Sequence, residues 1–128
     1  MTTHATVLVK DEAGQPLVNI YQHYDGYPSG LGEQLTKFLT GRRVTNGVAA
    51  ASLTSDVYTA NYSNGMGELA AQLVRYLKGD SPAGGVYLAP ATDEDEWHYT
   101  VRLVDGALTV EVAHWGEPKD RLDLTPAS

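Results

Sequence analysis

The chain has 128 residues, 42% of them apolar and 20% charged, the range of one folded domain whose core needs no staples. It contains no cysteine, which excludes a disulfide framework, a thiolate zinc site and a cysteine nucleophile. Sixteen acidic against nine basic side chains give a net charge of -7, which opposes the long-range attraction that duplex nucleic acid binding depends on.

The stretch Met1-Thr2-Thr3-His4-Ala5-Thr6 lacks a basic segment followed by an apolar run, and no later segment approaches the roughly eighteen apolar residues of a membrane span. A cytoplasmic location without a membrane partner is expected. Thr6-Val7-Leu8-Val9 and Leu17 to Tyr24 are β-branched and aromatic runs separated by Asp11 to Pro16, which predicts a hairpin with a long loop. The turn formers Asp25-Gly26-Tyr27-Pro28-Ser29-Gly30 then stop the strand. Leu31, Leu35, Phe38 and Leu39 have the spacing of one helical face, and Gly41 is a natural stop. Residues 42–61 stay partly open, with Val48 to Leu53 compatible with helix.

From Met66 the helical period returns, with Leu69, Ala70, Leu73, Val74 and Leu77 on one face and Gln72, Arg75 and Lys78 on the other. Ser81-Pro82-Ala83-Gly84-Gly85 reads as a connector and Val86 to Ala89 as a short strand. The acidic run Asp93-Glu94-Asp95-Glu96 reads as a solvated turn. Next come two alternating runs, Trp97 to Val104 and Ala107 to Trp115, joined by Asp105-Gly106, a pair suited to a two-residue hairpin whose central positions need positive φ. That turn predicts Leu103 opposite Leu108, Val101 opposite Val110, Tyr99 opposite Val112 and Trp97 opposite His114 on a core face. His98 falls on the wet face. Residues 1–116 form the expected domain and 117–128 a flexible tail, to which Leu122 and Leu124 offer docking points. The expected class is α+β, an antiparallel sheet of about five strands with two main helices on one face.

Two segments echo each other. Tyr27-Pro28-Ser29-Gly30-Leu31-Gly32-Glu33 and Tyr62-Ser63-Asn64-Gly65-Met66-Gly67-Glu68 share Tyr-x-(Ser/Asn)-Gly-(Leu/Met)-Gly-Glu, each at the start of an expected helix. A polar residue followed by glycines places bare backbone donors at the positive end of a helix, where an anion approaches closely. Two such ends acting together would grip a phosphate or carboxylate. The same glycines equally serve close helix crossing, and each Glu closes a capping box. Beside the first segment, Tyr21, His23 and Asp25 alternate onto one side of an extended strand. With Tyr27 they suit stacking on a base or sugar ring, or else they pave a half-buried strand. His23 and Asp25 also have the chemistry of a base with its orienting carboxylate, or of two metal ligands, but no third member is evident.

Tyr21-x-His23-x-Asp25-Gly26-Tyr27-Pro28-x-Gly30-x-Gly32, with Asn64-Gly65-Met66-Gly67 and a Leu-rich helix after it, resembles a family of small uncharacterised proteins from bacteriophages, prophages and bacteria. The resemblance implies a phage-type setting of anti-defence or accessory proteins and assigns no catalytic residues. The function expected from the residues is non-catalytic binding of a small anionic or nucleotide-like ligand, in a phage setting a sequestered signalling nucleotide. The ligand would be held by Tyr21, His23, Asp25 and Tyr27 and by the backbone around Gly30, Gly32, Asn64, Gly65 and Gly67. Neither a cofactor nor a metal is expected. The alternatives are a protein-interaction inhibitor that meets a host protein through its acidic surface, and a hydrolase acting through His23 and Asp25. Self-association is left open.

Overall fold

The computed structural model describes residues 2–45, 62–79 and 84–124. The expected helical stretch Val48 to Leu53 and part of the connector at 81–83 lie outside those residues. Chain order is β1 (Ala5–Lys10), β2 (Pro16–Gln22), a π-helical turn (Pro28–Gly32), α1 (Glu33–Leu39), β3 (Arg43–Thr45), β4 (Tyr62–Asn64), α2 (Gly65–Lys78), β5 (Val86–Ala89), β6 (Trp97–Val104), β7 (Ala107–His114) and β8 (Glu117–Lys119).

The main sheet has six strands among the described residues, in the order β5-β2-β1-β6-β7-β8. It is mixed rather than antiparallel, because the two hairpins dock through a parallel β1–β6 pair, with Ala5 beside Trp97 and Val9 beside Val101. No local turn signal specifies that pairing, which joins strands almost a whole chain apart. The number of strands also exceeds the expected five, since Glu117–Lys119 pairs with β7 as β8. Of the segment expected as a tail, Leu122 also donates its N–H to Val110 O at 3.1 Å, and Leu122 and Leu124 pack against the core. Residues 125–128 lie outside the described residues.

The late hairpin has the register expected from its turn, from Leu103 opposite Leu108 to Trp97 opposite His114. Asp105 and Gly106 carry φ of 52° and 81°, the left-handed pair that a two-residue turn requires. One sheet face, with Val7, Val9, Ile20, Tyr99, Val101, Val110 and Val112, forms the core with Leu31, Leu35 and Leu39 of the first helical segment and Met66, Leu69 and Leu73 of α2. Burying each such aliphatic side chain contributes about 1.5–3 kcal/mol. Arg42 ties the helices together: its guanidinium lies 3.9 Å from the Phe38 ring centre and donates to Phe38 O, Ser63 Oγ and Gln72 Oε1. The parallel β3–β4 pair leads directly into α2.

The opposite face of the sheet is crossed by residues 90–96, which carry the chain from β5 over β2 and β1 to β6. Asn19 Nδ2 donates to Pro90 O at 2.8 Å and Asp93 O at 2.9 Å, and Asp95 N–H donates to Thr6 Oγ1 at 3.1 Å. The acidic run is therefore a strap across the sheet. His98, expected on a wet face, is buried at 8% exposure because Thr6 and the strap sit beside it.

Candidate functional site

On the strap side of the sheet, the β1–β2 and β2–β5 registers line up Thr6, Tyr21 and Tyr87 across three strands. Continuing the hairpin past Ala5 opposite Gln22 brings His4 to His23, and their rings stack at 4.5 Å with planes 26° apart. Tyr21 Oη lies 2.8 Å from His23 Nδ1. Burial, then the Asp95 carboxylate and Tyr87, push the Tyr21 phenol above its ordinary value, so it keeps its proton. The Tyr87 ring is centred 6.1 Å from that of Tyr21 and is 60% exposed; Tyr24 is edge-on to His23 and 54% exposed.

Two charges border these rings. Asp95 Oδ1 comes within 3.8 Å of His4 Nδ1. Lys78 Nζ stands 5.7 Å from the Tyr87 ring centre and donates to Val86 O. His4, Tyr87, Asp95 and Lys78 were not among the residues expected to hold the ligand. The hairpin register carried the signal for His4, whereas Tyr87 and Asp95 arrive through long-range pairing.

Asp25 does not join His23. The strand ends at Gln22, and Asp25 takes a positive φ of 55° that breaks the alternation. Its carboxylate instead accepts the Tyr27 hydroxyl hydrogen at 3.0 Å, which raises the Tyr27 phenol above its ordinary value. The base and carboxylate pair considered for hydrolysis is thus not assembled. Among the described residues no three of His, Asp and Glu gather as a metal-ligand set.

The two glycine segments are held apart. Gly26 N–H donates to Thr3 O and Leu31 N–H to Asp25 O, which fixes the first segment beside the start of β1. Met66 N–H donates to Glu12 Oε2 at 2.8 Å, fixing the start of α2 beyond the other end of β1. A six-residue strand separates these ends by roughly 17 Å at 3.3 Å per residue, so no single small ligand touches both. The C-terminal Lys78 of α2 returns to Val86, at the first end, as a helix antiparallel to α1 requires.

The donors are also occupied. The N–H groups of Gly30, Leu31, Gly32 and Glu33 all go to the carbonyls of Asp25, Tyr27 and Gly30. The start of α2 has two carboxylates of its own, Glu12 on Met66 N–H and Glu68 on Asn64 N–H, which oppose an added anion. Gly30 and Gly65 have conformational reasons to be glycine: a Cβ on Gly30 would meet Asp25 O at 2.5 Å, and Gly65 has a φ of 84°. Gly32 and Gly67 have no such restriction, the Cβ position of Gly67 being open.

Comparison of the chain with protein-family models, curated proteins and solved structures gives no significant match. Among the described residues no helix is long and apolar enough to cross a membrane.

Proposed function

We propose that this protein is a non-catalytic binder of a small nucleotide-like ligand, whose flat ring lies against Tyr21, His23 and Tyr87. The observation that carries this reading is the stacked His4–His23 pair joined to Tyr21 and flanked by the exposed Tyr87 ring. Half-open aromatic faces of this kind bind bases by stacking, worth about 1–3 kcal/mol per base. The bordering charges give the ligand a direction. Asp95 suits the amino groups of a base or the hydroxyls of a sugar, and Lys78 supplies the cation for the anionic end. The glycine segments contribute architecture instead of anion contacts. The phage-type resemblance adds sequestration of a signalling nucleotide as the biological use.

Calorimetric titration with linear and cyclic nucleotides, and with the matching nucleosides, tests the reading. Nucleotides should bind, Tyr87→Ala should weaken them by about tenfold, and Lys78→Gln should reduce the preference for nucleotide over nucleoside. Equal binding by wild type and Tyr87→Ala contradicts it.

A further inference from the structure

A second feature lies on the other side of the strap, where a groove of about 250 Å³ opens between β6, β7 and β8. His98, Thr100, Glu111, Ala113 and Pro118 line it. His98 Nδ1 is 2.6 Å from Thr6 Oγ1, and that same oxygen accepts the Asp95 N–H at 3.1 Å. Thr6 is buried and its hydroxyl hydrogen has no other acceptor among the described residues, so it goes to Nδ1, which assigns the His98 proton to Nε2. Nε2 has no partner among the described residues and is not sealed from the surface. A nearly buried ring therefore offers one fixed N–H donor to the groove.

Glu111 supplies the acceptor, and its charge is already balanced. Arg102 Nε approaches Oε1 to 3.4 Å, as an ion pair not aligned for a hydrogen bond, and Arg121 approaches Oε2 to 3.8 Å. A ligand anion would face the Glu111 carboxylate, and a ligand cation would face the two arginines. A neutral group with an acceptor beside a donor meets neither penalty. The geometry points to this groove as a binding site for a small neutral ligand with a C=O beside an N–H, an amide or lactam edge. Its C=O accepts from His98 Nε2 and its N–H donates to Glu111, while Ala113 and Pro118 cover its apolar side.

The test is an NMR titration of the whole protein with 2-pyrrolidone, N-methyl-2-pyrrolidone and acetate, following the amide signals of Thr100, Glu111 and Ala113. Saturable shifts with 2-pyrrolidone are expected, with binding about fivefold weaker for the N-methyl compound, for acetate, and for 2-pyrrolidone on Glu111→Ala. His98→Phe should remove the binding; if that variant does not fold, Glu111→Ala decides, because Glu111 is half-exposed. Absence of saturable shifts overturns the proposal. So does equal binding of the methylated lactam, or an unchanged affinity in Glu111→Ala.

Discussion

The backbone N–H of Leu31 donates to the carbonyl oxygen of Asp25 at 2.8 Å, tying the π-helical turn to the bend before it and setting that oxygen against Gly30. There is no room above that oxygen for a side chain. Gly30→Ala should cost about 1–3 kcal/mol through overpacking. Gly67→Ala, in the open first turn of α2, should be neutral or stabilise by up to about 1 kcal/mol. Urea unfolding of both variants checks the contrast. Equal destabilisation would mean that the two glycines share one role after all.

Arg42 combines a ring contact with hydrogen bonds to α1, Ser63 and Gln72. Replacing it takes the donor from Phe38 O and Ser63 Oγ, while Gln72 Oε1 keeps the Ser63 hydroxyl. Arg42→Ala should lower stability by roughly 2–3 kcal/mol. Arg42→Lys should recover only a part, since an ammonium cannot reproduce a planar fork. Thermal unfolding of the pair measures both effects.

Acid should weaken the strap. Burial holds His98 below its ordinary value of 6.5, against the opposing pull of Glu94 and with a smaller push from Lys10. As pH falls, the unfolded chain takes this proton first, so the stabilisation present above 6.5 is lost as pH descends through the folded value. Melting temperatures between about pH 8 and about pH 5 should fall more steeply for wild type than for His98→Asn. Parallel slopes would assign the acid sensitivity to other groups.

Much of this architecture was legible one segment at a time. Asp105-Gly106 set the register of the late hairpin, because its left-handed φ values are what that residue pair permits at low cost. The period of α2 placed Leu69 and Leu73 in the core. The unread parts depend on distant partners. Nothing near Val9 indicates that it runs parallel to Val101, and nothing near His98 indicates that Thr6 and the strap bury it. In the site, Tyr21 and His23 were visible because they share one side of the extended chain that runs out of β2. Asp25 was misplaced because a single positive φ redirects it toward Tyr27.

His23 links Tyr21 to His4, so its removal should loosen the ring surface and leave the Tyr21 hydroxyl without its hydrogen-bond partner. His23→Ala is expected to weaken nucleotide binding by about 1–3 kcal/mol. Mass spectrometry of the nucleotide after incubation should return it unchanged from wild type and variant alike. Conversion by wild type, slowed about a hundredfold or more in the variant, would favour a general base instead.

The site itself is located most directly by intermolecular NOEs between a bound nucleotide and the protein. Contacts are expected from the base protons to the rings of Tyr21, His23 and Tyr87, with none to Met66 or Gly67 at the start of α2. A bound nucleotide whose base contacts Met66 and Gly67, and leaves those three rings untouched, would contradict the proposed site.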